Sequence, residues 1–315
     1  RCSRTPPSAS ADRAILSIAP RIGHITGMTD SAARDTDLSV AFARMNGLGN
    51  EIVVADLRGS AARISAAAAR ALAEDPATRF DQIMAIHDPR LDGTDAYVRI
   101  INRDGSEAEA CGNGTRCVAA LVMDETGNDS ISVETVAGVL PATRREDGLV
   151  CVDMGPANLD WSDIPLAKAA DTLHIELEGA PLSDAVGINI GNPHAVFFVD
   201  DAEAVELNAV GPQLETHAMF PARANIEVVS GLGTDKLRMR VWERAVGITQ
   251  ACGSGACAVA VAAHRRGLTG RAVEVVLDGG TLFLEWRDDG HVLMAGPTAT
   301  VFRGLLDPSL LEAAS

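Results

Sequence analysis

Short hydrophobic segments alternate with tight turns along most of the chain. Runs of aliphatic and β-branched residues bounded by Gly, Asn, Asp or Pro predict strands. The predicted strands are residues 41–45, 52–56, 81–86, 96–102, 130–135, 138–144, 149–154, 186–190, 195–199, 225–230, 237–243, 273–277, 280–287 and 292–295. The predicted helices are residues 60–73, 112–124, 209–217 and 253–266. Many strands with few helices indicate an α+β or mixed α/β fold.

A Cys-Gly-x-Gly motif occurs twice, at residues 111–114 and 252–255, and each copy begins a predicted helix. Asn50 lies 61 residues before Cys111, and Asn192 lies 60 residues before Cys252. Matched spacings are typical of an internal repeat. They predict two lobes of about 140 residues, each of which contributes one motif to a shared cleft.

Cys111 and Cys252 are candidate catalytic bases. A helix N-terminus carries unpaired N–H groups and the positive end of the helix dipole, so this position predicts a lowered pKa for each thiol. The glycines after each sulfur leave backbone N–H groups open to a carboxylate or an enolate. Two such cysteines facing one carbon atom can remove a proton from one side and return one from the other, which inverts a stereocentre.

Composition narrows the function classes. With 315 residues, 47% of them hydrophobic, and a mean hydropathy of +0.10, the chain suits one large or two medium globular domains. A formal net charge of −16 argues against a nucleic acid or an anionic membrane as partner. No apolar run approaches the ~18 residues of a membrane span. Six cysteines in a chain of this size favour a reducing compartment over a disulfide framework.

Residues 1–40 differ from the rest, because they are rich in Ser, Ala and Arg and lack hydrophobic periodicity. We expect a disordered N-terminal extension. It is either an organelle transit peptide or a segment that precedes a natural start at Met28. The expected lobes are residues 41–157 and 158–297, with residues 298–315 as a candidate to return to the first lobe. The expected location is the bacterial cytoplasm, or a plastid in the case of a transit peptide.

Eight short blocks, taken in order, resemble the diaminopimelate epimerase family. The resemblance as a whole extends from about residue 42 to residue 302, in the order of the family. The blocks are Met-Asn-Gly-Leu-Gly-Asn at 45–50, Phe-Asp-Gln at 80–82, Arg-Ile-Ile-Asn-Arg-Asp-Gly-Ser at 99–106, Cys-Gly-Asn-Gly at 111–114, Gly-Asn-Pro-His at 191–194, Phe-Pro at 220–221 with Asn225, Trp-Glu-Arg at 242–244 and Ala-Cys-Gly-Ser-Gly-Ala at 251–256.

The resemblance implies a cofactor-independent enzyme that interconverts LL- and meso-diaminopimelate in lysine biosynthesis. It implies two pseudo-symmetric lobes, each a mixed or antiparallel sheet wrapped around a central helix, and it suggests a homodimer. The family's two bases fall on Cys111 and Cys252, and His194 lies near the second base. The family's substrate-binding positions fall on Asn50, Gln82, Asn102, Gly112, Asn113, Asn192, Asn225, Glu243, Arg244, Gly253 and Ser254.

Neither pyridoxal phosphate nor zinc is expected. The two lysines of the chain, Lys168 and Lys236, lie outside all the resembling blocks. Five residues separate Cys111 from Cys117, more than the two to four that usually separate paired zinc ligands. The small-molecule substrate is therefore the only ligand that the sequence predicts.

Three residues depart from the usual family blocks. Asn46 replaces a histidine, Glu51 an aspartate and Ile248 a glutamate. Since none touches a cysteine motif, the departures bear on substrate preference rather than on the reaction.

Other readings of the same residues remain open at this point. Asn50, Asn102 and Asn192 lie beside Gly or Pro, where asparagine commonly stabilises a turn. Glu243 and Arg244 are neighbours on a predicted strand and should point to opposite faces, which argues against contact of both with one ligand. The alternative functions are a two-cysteine proline racemase or hydroxyproline epimerase, a catalytically inactive binding module, and a thiol redox protein.

Overall fold

Strands dominate the secondary structure, as the alternating pattern predicts. The structure, a computed structural model, describes residues 40–75 and 78–313, and the expected extension at residues 1–39 lies outside them. The helices are α1 (Ala66–Glu74), α2 (Gly112–Thr126), α3 (Leu207–Glu215) and α4 (Gly253–Arg265), with a 3-10 turn at Pro308–Leu310. The strands are β1 (Val40–Gly47), β2 (Asn50–Asp56), β3 (Ala62–Ile64), β4 (Gln82–His87), β5 (Ala96–Asn102), β6 (Glu107–Ala108), β7 (Ser130–Thr135), β8 (Gly138–Arg144), β9 (Val150–Pro156), β10 (Val186–Asn189), β11 (Pro193–Phe198), β12 (Asn225–Gly233), β13 (Lys236–Glu243), β14 (Gly247–Ile248), β15 (Ala272–Leu277), β16 (Gly280–Trp286), β17 (His291–Gly296), β18 (Ala299–Leu306) and β19 (Leu311–Ala313).

Helices α2 and α4 are the centres of two lobes. Both consist largely of small apolar residues on every side, and such a helix is stable only when protein surrounds it. Apolar side chains of the first-lobe strands pack around α2, and those of the second-lobe strands pack around α4. The predicted α+β fold with two lobes, each wrapped around a central helix, is confirmed.

The two lobes repeat one strand topology. In the first lobe β2 pairs with β4 and β5 with β7, both parallel, and α2 lies between β5 and β7 in the chain. In the second lobe β11 pairs with β12 and β13 with β15, again parallel, and α4 lies between β13 and β15. The antiparallel pair β9–β17 joins the lobes, and β18 pairs with β1.

Several elements differ from the sequence predictions, among them the short strands β3, β6, β14 and β19, which were not predicted. Helix α1 begins at Ala66 instead of residue 60, because residues 62–64 pair with β19 and Ser65 Oγ then caps the helix through the Ala68 N–H at 3.1 Å. Helix α3 covers residues 207–215 instead of 209–217. Strand β18 was not predicted, because most of its side chains are exposed and show no apolar alternation.

Candidate active site

The two Cys-Gly-x-Gly motifs form matching helix starts. Cys111 caps α2 and accepts a hydrogen bond from the Gly114 N–H to its sulfur at 3.2 Å. Cys252 caps α4 in the same way, through the Gly255 N–H at 3.4 Å. Both cysteines have extended backbone angles, as an N-cap requires. Each sulfur is therefore fixed at the positive end of a helix dipole.

The two helix starts converge. A Cβ atom at Gly112 would lie 2.6 Å from Met294 Cε, and a Cβ atom at Gly253 would lie 3.0 Å from Met294 Sδ. The same position at Gly253 is 3.5 Å from Asn113 Oδ1. Both starts therefore pack on one methionine, and only glycine leaves room for this approach. The two motifs therefore meet at Met294, but neither Cys111 nor Cys252 is among the residues that line the cleft between the lobes, so their contribution to a shared cleft stays a prediction.

The predicted lowering of the cysteine pKa values is wrong for the ligand-free protein. Burial raises the pKa of Cys111 to about 11 and raises that of Cys252 well above its usual value. The negative charge of Glu243 raises both further. The backbone N–H donors act in the opposite direction, as does the Ser254 hydroxyl on Cys252, but the loss of water around the sulfurs outweighs them.

A cleft of about 1560 Å³ lies between the two lobes. Asn50, Gln82 and Asn102 line it from the first lobe, and Glu243 lines it from the second. Gln82 Nε2 donates to Asn102 Oδ1 at 3.0 Å, and Asn102 Nδ2 donates to Ser106 Oγ at 3.0 Å. Three of the predicted first-lobe binding residues thus share one wall of the cleft.

The second-lobe asparagines belong to a buried polar cluster. His194 is fully buried, with Nδ1 2.7 Å from Glu227 Oε1 and Nε2 2.8 Å from Asn192 Oδ1. Asn225 donates through Nδ2 to the Pro193 carbonyl at 3.1 Å. His194 therefore links the Asn192 side chain to a carboxylate instead of serving as a simple turn residue.

Glu243 and Arg244 diverge, as neighbours at a strand end should. The Glu243 carboxylate accepts a hydrogen bond from the Thr249 hydroxyl at the cleft. The Arg244 N–H donates to Asn225 Oδ1 at 2.8 Å, but its exposed guanidinium donates to the Ala222 carbonyl at 3.2 Å. Arg244 is not among the side chains that line the cleft.

The three departures from the family blocks all lie at the cleft. Asn46 Oδ1 accepts from the Gly49 N–H at 2.9 Å and so stabilises the turn that precedes Asn50. Glu51 forms an ion pair with Arg44 at 2.6 Å. Ile248 presents a partly exposed apolar side chain. Two of the departures therefore have a local structural role.

Sequence reasoning missed two buried charges behind the cysteines. Arg116 and Glu227 are both fully buried, Arg116 within α2 and Glu227 on β12. A signal was present, because each is a charged residue within an otherwise apolar segment. The prediction of an apolar core for those segments concealed it.

The described residues hold no group of three or more His, Cys, Asp or Glu side chains placed to bind a metal ion. The five cysteines described, from Cys111 to Cys257, are free thiols. Within residues 40–75 and 78–313, no helix is long and apolar enough to cross a membrane.

Comparison with known proteins identifies one family. The profile of the family described as Diaminopimelate epimerase matches residues 42–159 and 186–301. A diaminopimelate epimerase of Rhodospirillum centenum is 56% identical over 271 residues, which cover 86% of this chain and 93% of the relative. A diaminopimelate epimerase of Brucella canis is 55% identical over 279 residues, covering 86% and 92%.

Solved structures share the fold at low sequence identity. A phenazine biosynthesis PhzC/PhzF protein of Clostridium difficile has a TM-score of 0.62 at 16% identity, covering 85% of this chain and 99% of its own. A hydroxyproline epimerase of Agrobacterium vitis has a TM-score of 0.57 at 15% identity, covering 86% and 94%. The fold is thus shared with other enzymes, whereas the close relatives are of one kind. The chain belongs to the diaminopimelate epimerase family, isomerases of lysine biosynthesis.

Proposed function

We propose that this protein interconverts LL- and meso-diaminopimelate without a cofactor, and that Cys111 and Cys252 are its two bases. The observation that carries the proposal is the convergence of two cysteine-capped helix starts on Met294. One thiolate takes the Cα proton, the electron pair of the broken C–H bond moves toward the α-carboxylate, and the other thiol gives a proton to the opposite face. The active form therefore has one thiolate and one thiol.

Backbone N–H groups at the two helix starts hold the reacting carboxylate in this mechanism. Gly112 and Asn113 provide these N–H groups at the start of α2, and Gly253 and Ser254 provide them at the start of α4. The first N–H groups of a helix have no partner within it, and the two dipoles add a positive potential where the enolate forms. The α-ammonium group of the substrate adds a cation beside the sulfurs. Its charge lowers the raised thiol pKa values when substrate binds.

The cleft recognises the distal end of the substrate. Glu243, Asn50, Gln82 and Asn102 at the cleft, together with Asn192 and Asn225 of the buried polar cluster, offer hydrogen-bond acceptors for ammonium groups and donors for carboxylates. Arg244 holds the distal carboxylate, since its single bond to the Ala222 carbonyl leaves other guanidinium donors free for one. A substrate with one end only would leave these polar groups unpaired, which supports selection of a diamino diacid.

The remaining partners follow from the family and the charge. A pyridoxal phosphate cofactor is not part of the proposal. Lys236 forms an ion pair with Glu274 at 2.9 Å, and Lys168 lies outside the cleft lining. The net charge of −16 argues against nucleic acid, and the bacterial relatives support a cytoplasmic location.

We also propose a homodimer. Strand β18 pairs with β1, and its exposed apolar side chains are Val301, Phe302 and Leu305, with 63%, 37% and 67% of their surfaces exposed. An apolar edge strand of this kind favours pairing with a second copy. Sedimentation velocity tests this, and a single species at 32.9 kDa would overturn it.

Solvent-deuterium exchange tests the activity. Reduced protein without added cofactor is incubated in D₂O with LL-diaminopimelate or, separately, with proline, and both are followed by NMR. We expect deuterium at Cα together with conversion of LL to meso, and no exchange with proline. Exchange with proline alone would indicate a proline racemase instead. Exchange with neither compound would favour a binding protein without this activity.

A further inference from the structure

Arg116 is a buried cation with no anionic partner. Its side chain is fully buried, its Nη2 donates to Asn113 Oδ1 at 2.8 Å and its Nη1 lies 3.4 Å from Met294 Sδ. Its Nε has no hydrogen-bond partner. Among the residues that the structure describes, no carboxylate forms an ion pair with it. Burying an unpaired charge is costly, so the site of Arg116 requires a negative charge nearby.

The ionisable groups whose charge acts on Arg116 are thiols. Cys111 and Cys117 on its own helix, Cys257 on α4 and Cys151 on β9 all interact electrostatically with Arg116. Of these, Cys111 caps the helix and is partly buried, whereas Cys117 and Cys257 are fully buried. A thiolate at Cys111 would therefore be the counter-ion that Arg116 lacks.

The second lobe has a buried charge of the opposite sign behind its cysteine motif. Glu227 is fully buried, with Oε1 bound to His194 and Oε2 without a partner. It lies directly behind the first turn of α4, since a Cβ atom at Gly255 would be 2.7 Å from its Oε1. At the matching place in the first lobe, a Cβ atom at Gly114 would be 2.4 Å from Met84 Sδ. A neutral thioether in one lobe thus corresponds to a carboxylate in the other.

We propose that Arg116 and Glu227 set the order in which the two cysteines lose their protons, so that Cys111 is the thiolate and Cys252 is the thiol when the pair carries a single proton. The inference rests on the proposed two-cysteine function and adds the charge that orders the pair. Both residues act through a sulfur, so they are positioning residues.

The other charged groups around the sulfurs do not reverse this order. Arg116 and Cys117 from α2 and Glu243 from β13 face Cys111, while Glu243 from β13 and Glu227 from β12 face Cys252. Glu243 raises the pKa of both thiols, and at Cys252 its effect exceeds that of Glu227. His194 contacts Glu227, but the second carboxylate oxygen remains unpaired.

Alkylation of the free enzyme tests the proposal without substrate. Wild-type protein, Arg116→Met and Glu227→Gln are treated with iodoacetamide from pH 6 to pH 10, and each cysteine is followed by peptide mass spectrometry. We expect Arg116→Met to slow Cys111 about tenfold at pH 8 and to leave Cys252 within about twofold, since one pKa unit is a tenfold change in thiolate. We expect Glu227→Gln to speed Cys252 about tenfold and to leave Cys111 unchanged.

Two further variants separate charge from structure. Arg116→Lys keeps the positive charge and should restore most of the Cys111 reactivity, and Arg99→Met, in which a first-lobe arginine paired with Glu107 is lost, should change neither cysteine. Circular dichroism establishes that each variant is folded. If Arg116→Met does not fold, the reactivity of Cys252 in Glu227→Gln still tests the proposed effect of Glu227. Unchanged Cys111 and Cys252 profiles, or equal shifts in both, would overturn the proposal. Failure of wild-type protein to convert LL-diaminopimelate would overturn the proposed function instead, because alkylation does not depend on turnover.

Discussion

Cys111 and Cys252 cap their helices through the same backbone contact, at 3.2 Å and 3.4 Å, but their surroundings differ in charge. Behind the first sulfur lie Met84 and the cation of Arg116, and behind the second lie Glu227 and His194. The position that corresponds to Arg116 in the second lobe, five residues after the cysteine, is Cys257. The duplicated backbone is therefore symmetric, and the buried charges are not.

This difference suits a reaction that inverts a stereocentre. Binding a carboxylate between two helix starts requires the same geometry on both sides, because the N–H groups must reach the same atoms. Proton transfer requires the two sulfurs to differ in protonation state, since one sulfur must accept a proton while the other donates one. A repeated backbone satisfies the first requirement, and unlike side chains behind it satisfy the second.

The largest loss of activity is expected from substitution of either catalytic base. Cys111→Ala and Cys252→Ala should each lower LL-to-meso conversion at least about 10³-fold, because each thiol serves one face of Cα. Conversion is followed by NMR or by a coupled assay of meso-diaminopimelate. Cys257→Ala is the matched control, a buried cysteine on the same helix, and should stay within about twofold. A single catalytic variant with near wild-type turnover would refute the two-base reading.

The next largest effect is expected from removal of the Glu243 charge, which acts on both sulfurs. Glu243 raises the pKa of Cys111 and of Cys252, so Glu243→Gln should lower both and move both limbs of the kcat/KM profile to lower pH by about one unit. The maximum of kcat/KM should fall about 10²-fold through loss of a charged acceptor for an ammonium group. Glu51→Gln, which removes another cleft carboxylate, should leave both limbs in place. A shift of one limb alone would contradict an equal action on the two sulfurs.

A smaller effect concerns the distal carboxylate. Arg244→Lys should raise KM for diaminopimelate about tenfold with less change in kcat, because lysine cannot form a bidentate contact. Steady-state kinetics with LL-diaminopimelate measures both constants. Arg223→Lys is the control, an exposed arginine of the adjacent turn that pairs with Glu215. Unchanged kinetics in Arg244→Lys would remove this residue from the substrate site.

The repeated backbone could be predicted from the sequence, because its signals are local. Glycines after a cysteine, strand-length apolar runs and a spacing of 141 residues between the motifs all act within short segments. They were sufficient for two lobes, two central helices and the meeting of the cysteine motifs.

The charge difference could not be predicted, because it depends on contacts between distant segments. Glu227 reaches the α4 start only when β12 packs against that helix, and the raised pKa of Cys252 reflects burial that the motif does not encode. Strand β18 was not predicted for a related reason, since its partner β1 lies more than 250 residues earlier in the chain. The binding role assigned to Arg244 likewise stays a prediction.

The smallest expected effect is on stability. It concerns a methyl group added at Gly114, which packs against Met84, or at Gly255, which packs against Glu227. In a helix, alanine is favoured over glycine by about 1 kcal/mol, whereas crowding in a packed core costs about 1–3 kcal/mol. At Gly114 the new methyl group meets the flexible end of Met84, so Gly114→Ala should change the free energy of unfolding by less than about 1 kcal/mol. At Gly255 it meets Glu227, which is held by His194, so Gly255→Ala should cost about 2 kcal/mol. Urea unfolding of both variants measures the difference, and equal losses would mean that the buried carboxylate yields as readily as the thioether.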